Sequence, residues 1–266
     1  MMKKNATIFW ILLNSCFIFS CKKEVRNIYN IPALDSSHLS ITNISPSISD
    51  LKIYFNNKLV SLPGSPVIYG NTVSSTYITN TTTYFPDTIS VPYINISPGY
   101  QQLSFSSEGN NNLLGLLNSN FEEGSSYSLF LTDTLVHGSI TSVLLKDNFL
   151  AKDTSKSQIR FLNLSADSPP LDLWAYPDAG YSGYKLFAAN AYIPHDYNSY
   201  VKGESFTRID PGIYYFEAMI AGTSKVVLGG YLVIVPNKII SIYTKGYLAG
   251  TGAKAMDVGV IQYTPE

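Results

Sequence analysis

The sequence predicts an all-β protein made of two tandem β-sandwiches, and three observations carry that reading. Charged residues make up only 14% of the chain, while 20 tyrosines and 13 phenylalanines accompany plentiful Ser, Thr and Asn. Aromatic and β-branched side chains suit pleated, half-buried surfaces. Short runs alternate apolar and polar residues between turn dipeptides, and no 3.6-residue periodicity is visible after residue 21. Finally, one set of short words occurs twice in the same order, the signature of a repeated structural unit.

The elements follow in chain order. Met1-Met2-Lys3-Lys4 is basic, and Ala6 to Phe19 is an uncharged, mostly apolar run. That run is shorter than the roughly 20 residues a spanning helix needs, which suits the core of a signal peptide better than a membrane anchor. It ends in Ile18-Phe19-Ser20-Cys21, which resembles the bacterial lipobox, with phenylalanine as its least usual letter. The resemblance implies cleavage after Ser20 and acylation of Cys21, so the protein's first partner is a membrane, held through lipidated Cys21. The other cysteine, Cys16, lies in the segment to be removed, so lipidation gives the remaining thiol a reason to be there. Lys22, not aspartate, follows the cysteine. The expected destination is the outer membrane, on either its periplasmic or its cell-surface face. Residues 21–34 form the lipid anchor and tether.

Removing twenty residues leaves 246, enough for two ordinary domains. Loss of Lys3 and Lys4 leaves 16 basic against 19 acidic residues, so no basic surface is available to neutralise phosphates and no nucleic-acid partner is expected.

The repeat organises the remainder. Asn43-Ile44-Ser45 and Leu51-Lys52-Ile53-Tyr54 recur 120 residues later as Asn163-Leu164-Ser165 and Leu171-Asp172-Leu173-Trp174. Ile96-Ser97-Pro98-Gly99-Tyr100 recurs as Ile209-Asp210-Pro211-Gly212-Ile213, now 113 residues on. Gly124 with Tyr127-Ser128-Leu129-Phe130 likewise matches Asn237 with Ile240-Ser241-Ile242-Tyr243. One seven-residue length difference reconciles the offsets. Strands are predicted at these words and along Tyr100–Phe105, Ile213–Met219 and Val226–Val235, with Pro-Gly making tight turns. The seam falls in the polar stretch Ala151–Lys156, giving domains over 35–151 and 157–266, each an immunoglobulin-like or transthyretin-like sandwich.

Ile159-Arg160-Phe161-Leu162-Asn163-Leu164-Ser165-Ala166-Asp167-Ser168-Pro169-Pro170-Leu171-Asp172-Leu173 resembles the opening of the domain-of-unknown-function family numbered 4397. The resemblance covers most of residues 157–250 and is weaker in the first copy, where Ser49 and Asp50 replace the prolines. It implies an exported, often tandem β-sandwich, often a lipoprotein of Bacteroidota type. The family has no agreed catalytic residues to carry over.

The chemistry in the chain is sparse. His38, His137 and His195 are widely spaced and form no metal-binding pattern. Gly180-Tyr181-Ser182-Gly183 is not a nucleophile elbow, and Gly250-Thr251-Gly252 lacks a phosphate loop's third glycine. Among the carboxylates, Asp167 reads as a turn cap, Asp172 as an outward strand residue and Asp210 as part of the Pro-Gly turn. No metal, cofactor or reaction class is implied. The functional candidates are two long connections, 62–93 and 176–206, rich in tyrosine. Tyr84 in the first, and Tyr181, Tyr184, Tyr197 and Tyr200 in the second, could stack on sugars or meet an envelope protein. Alternatively, these tyrosines cover the sandwich ends or sit in further strands. The expectation is a non-catalytic binding or adhesion module for a glycan or protein; the alternative is a structural subunit of a surface assembly such as a lipoprotein fimbria.

Overall fold

A computed structural model of the chain describes residues 35–46, 50–60, 67–68, 89–91, 93–107, 112–133, 140–177, 182–193 and 205–263. Cys21 and the tether lie outside the described residues, and so do Tyr84, Tyr181, Tyr197 and Tyr200.

The first copy supplies β1 (Ser37–Asn43), β2 (Asp50–Phe55), β3 (Lys58–Val60), β4 (Val67–Ile68), β5 (Ile89–Val91), β6 (Ile94–Ile96), β7 (Gly99–Ser107), β8 (Leu113–Phe121), β9 (Ser126–Asp133) and β10 (Ile140–Lys146). The second supplies β11 (Ser157–Asn163), β12 (Leu171–Pro177), β13 (Tyr184–Asn190), β14 (Thr207–Ile209), β15 (Gly212–Ile220), β16 (Val226–Ile234), β17 (Ile239–Lys245) and β18 (Asp257–Tyr263). Among the described residues there is no α-helix; a 3-10 turn lies at Gly252–Lys254.

The sequence repeat is a repeat of topology. Sheet β10-β9-β1-β6 has the same order as β18-β17-β11-β14, and β3-β2-β7-β8 the same as β13-β12-β15-β16. In both copies the first strand pairs in parallel with an equivalent later strand, β1 with β9 and β11 with β17, and the two partners start 113 residues apart. A bulge after Phe105 in β7 recurs after Ala218 in β15. Gly124 and Asn237, matched in the repeat, both turn through positive φ, at 68° and 59°. Asparagine is among the few residues with a side chain that tolerate this region, so the substitution keeps the turn. The long 62–93 and 176–206 connections prove to contain strands: β4 and β5 in the first, β13 in the second. β5 lies in the first copy by sequence yet pairs in parallel with β18, so the first copy lends a strand to the second copy's sheet.

Each sandwich closes over its own core. Leu39, Ile53, Leu103, Phe105, Leu129 and Leu131 fill the first; Phe161, Leu173, Phe216, Ile242 and Val260 fill the second. A third core lies between the two sandwiches. Phe130, Val143 and Leu145 project from the back of the first inner sheet onto Leu162, Tyr243, Ile261 and Tyr263 from the second. The molecule is therefore four β-layers deep, and its two inner sheets are buried on both faces. β11 is buried along its whole length, as β10 nearly is. Quasi-equivalent residues meet at this junction: the Phe130 and Tyr243 rings lie 5.6 Å apart.

Candidate functional site

The strongest electrostatic feature lies inside the junction. Arg160 on β11 occupies the position of Ser40 in the first copy and is fully buried. Its guanidinium forms an ion pair with Asp147 at 2.7 Å and donates to Ser241 Oγ at 2.6 Å, Tyr263 Oη at 2.7 Å and Ser128 Oγ at 3.0 Å. The Phe206 ring covers it, 4.6 Å from guanidinium carbon to centroid. Asp147 also accepts from Ser128, and from Tyr93 Oη at 2.7 Å. Burial, reinforced by the neighbouring Asp147 carboxylate, pushes the Tyr93 phenol well above its ordinary range, so its proton stays in place as a donor. Burial disfavours the Arg160 charge, but Tyr263 and Asp147 outweigh it and hold the guanidinium protonated. With both charged side chains inaccessible and bound to groups from both copies, this cluster joins the two sandwiches rather than receiving a ligand.

The solvent-facing side of the outer sheet β13-β12-β15-β16 is different. Leu171, Leu173 and Ala175 point into the core, so Trp174 and Tyr176 must face outward. Cross-strand register then assembles two parallel rows. Tyr176 on β12 stands opposite Tyr215 on β15, which stands opposite Tyr231 on β16. One step along the strands, Lys185 faces Trp174, Trp174 faces Glu217, and Glu217 faces Gly229. The rings form a continuous ladder: Tyr231 to Tyr215 is 4.9 Å, Tyr215 to Tyr176 is 6.3 Å, and Tyr176 to Trp174 is 6.5 Å with their planes 23° apart. Polar groups are interleaved with it. The Lys185 ammonium lies 5.6 Å from the Trp174 ring, and Glu217 accepts from the Tyr176 hydroxyl. Two glycines make room: a Cβ at Gly183 would lie 2.2 Å from the Tyr176 ring, and one at Gly229 would lie 2.7 Å from the Tyr215 hydroxyl.

The same face of the first copy is an internal comparison. Gln102 and Asn118 stand where Tyr215 and Tyr231 stand in the second, and their amides bond to each other at 3.2 Å. Asn56 takes the place of Tyr176 and accepts from the Gln102 backbone. One fold thus carries an amide row in one copy and an aromatic row in the other, so the rings are not a requirement of the topology.

Of the tyrosines singled out from the sequence, Tyr184 is described. It opens β13, is 42% exposed, and shares a hydrogen bond with Tyr214 at the sandwich rim. Burial, with a contribution from Tyr214, raises its pKa to about 12. It is near the ladder but not part of it. The sequence reading passed over Tyr215 and Tyr231 because they lie in strands. The available signal was alternation: each occupies an outward position in a strand whose other parity is apolar.

The carboxylates have structural partners. Asp167 accepts from the backbone N–H groups of Leu248 and Ala249, pinning a loop from the other end of the domain. Asp210 pairs with Lys156 at 2.8 Å on the surface. Asp172 requires a correction: it does project from the outer face, but it is only 3% exposed. Lys185 lies 2.6 Å from one of its oxygens, and the Ala189 N–H donates to the other at 2.7 Å. Burial works to raise its pKa, yet Lys185 and the backbone N–H groups of Ala189 and Gly222 together bring it below the ordinary carboxylate value. A carboxyl with a lowered folded pKa contributes stability above its unfolded value of about 3.9 and loses it as acid passes through the folded value. The stability gap between wild type and Asp172→Asn, measured in urea, should therefore narrow from pH 7 to pH 3; an equal gap at both would contradict this account.

A cleft of about 420 Å³ opens at the seam, lined by Lys152, Lys156, Gln158, Lys238 and Tyr263 among others. Two of its polar residues are already engaged: Gln158 bonds the backbone of Leu150 in both directions, and Lys156 is paired with Asp210. Among the described residues no group of His, Cys, Asp or Glu is placed to hold a metal ion.

A rigid, duplicated β-sandwich with one aromatic outer face is the class of molecule these features define. The sequence model of the family described as Domain of unknown function (DUF4397) matches residues 37–174, and the chain belongs to that family. The match spans the whole first copy and ends within β12 of the second, whereas the resemblance visible in the sequence lies in the second copy. Comparison with curated proteins gives no match. Among solved structures, the chain is similar to a leucine-rich repeat protein from Bacteroides thetaiotaomicron at 8% identity and a TM-score of 0.19. That likeness covers 78% of this chain and 25% of the other.

Proposed function

We propose that the protein is a lipid-anchored, non-catalytic binding or adhesion module of the outer membrane. The single observation that supports a binding role is the aromatic ladder on the second copy, in which Tyr176, Tyr215 and Tyr231 stand where the first copy has the amides Asn56, Gln102 and Asn118. Tyrosine and tryptophan give large contact area at little entropic cost and dominate recognition surfaces. The buried Arg160–Asp147 cluster supports a rigid body that holds such a surface in one shape. The lipobox-like Ile18-Phe19-Ser20-Cys21 supports the anchor, since several acyl chains hold a protein on a membrane far more firmly than one.

Two measurements test this. In cells, Cys21→Ser should move the protein from the membrane to the soluble fraction with its far-ultraviolet circular dichroism unchanged; an unacylated wild-type protein would remove the anchor from the proposal. The soluble Cys21→Ser form should then bind saturably to a glycan array or to purified envelope proteins through the ladder. Failure of both, or binding indifferent to Trp174→Ala, would end the binding-module reading.

A further inference from the structure

We infer that the ladder formed by Tyr231, Tyr215, Tyr176 and Trp174 is a carbohydrate platform, taking an uncharged glycan that lies across the strands. This rests on the binding-module reading and names its ligand class. The argument begins with what the face contains. Each of its four rings carries a polar edge, a phenol hydroxyl or an indole N–H, so an occupant must offer both apolar patches and hydrogen-bonding groups. Sugar rings do so, with C–H faces that pack on aromatic rings and equatorial hydroxyls around the rim.

The charged residues among the rings favour sugar over protein. Lys185 lies against Trp174, and Glu217 lies between Trp174 and Gly229 in the adjacent row. The centre of a protein interface is depleted of lysine and glutamate, because sealing them from water without full compensation is costly. Hydroxyls of a sugar can bond to both while leaving water at their backs. Lys185 is already paired with Asp172 and is opposite in sign to Glu217, so the face gathers no cluster of cations to select an acidic ligand. The glycines complete the case: Gly183 and Gly229 close the two rows at opposite corners, and a side chain at either would displace the ring beside it. The amide row of the first copy provides no such stacking surface.

The test is affinity electrophoresis of the soluble Cys21→Ser protein through gels containing hydroxyethylcellulose, laminarin, mannan, xylan or dextran. Retardation by at least one polysaccharide is expected. Trp174→Ala and Tyr231→Ala should each weaken it roughly tenfold, the loss of one stacking contact worth about 1.4 kcal/mol. Tyr100→Ala, on the exposed surface of the first copy, should leave it unchanged. Tyr231 lies on β16, an edge strand of its sheet, so its variant remains informative if Trp174→Ala unfolds. Migration unaffected by all five polysaccharides, or retardation that survives both ladder variants, overturns the inference. Trp174-dependent capture by purified envelope proteins without any polysaccharide binding would leave the binding module standing and remove the carbohydrate; loss of both removes both.

Discussion

Arg160→Met is expected to destabilise the protein by about 3–5 kcal/mol, the cost of leaving a buried carboxylate without its cation. Both charged side chains are fully inaccessible. Removing the guanidinium strands Asp147 and deprives Ser241, Tyr263 and Ser128 of a shared donor. The double variant Arg160→Met/Asp147→Leu should lose much less than the sum of the two single changes, because a buried ion pair replaced by apolar residues often costs little. Equilibrium urea unfolding of the four proteins measures this cycle. A single-variant loss below about 1 kcal/mol, the size of an exposed pair, would show that the cluster is not sealed as described.

Phe130→Ala should cost about 3–5 kcal/mol as well, and the loss should be felt in the sandwich that does not contain it. Phe130 belongs to the first copy, but its ring packs on Tyr243 of the second within the middle core. Among the described residues eleven side chains are buried there, and burying a large apolar side chain contributes about 1.5–3 kcal/mol. With both sandwiches already folded, little chain entropy opposes that gain, so the halves should unfold as one unit. Trp174 and Trp10 are the two tryptophans of the chain, and Trp10 lies in the segment read as the signal. Fluorescence of Trp174 therefore reports the second sandwich alone. Its urea midpoint should fall with that of the far-ultraviolet signal in Phe130→Ala. A fluorescence midpoint left at the wild-type value would mean that the sandwiches unfold independently.

The fold was legible where local chemistry decides structure. Pro98-Gly99 and Pro211-Gly212 sit at the turns that start β7 and β15, and the 113-residue offset found in a few words extends to β6, β8 and their counterparts β14 and β16. Alternation identified β2 and β12 because one of their faces meets water. It was least informative for β1, β10, β11 and β17, which are buried on both faces. Thr42, Ser128 and Ser241 look like outward polar residues in the sequence, yet they line the junction. The ladder is hidden in the sequence for a related reason: its rings come from three strands far apart in the chain, not from the tyrosine-rich connections.

By itself, the sequence determined the class of fold, its duplication and the repeated turns, because these depend on residues near one another in the chain. The lipobox-like motif, a pattern of adjacent residues, is likewise visible only there. The tertiary structure alone decided which side of each sheet is covered. It brought Arg160 to Asp147, set β5 beside β18, and lined up Tyr176, Tyr215 and Tyr231 across three strands. Each of these depends on strand register and sheet stacking, and no local propensity encodes either.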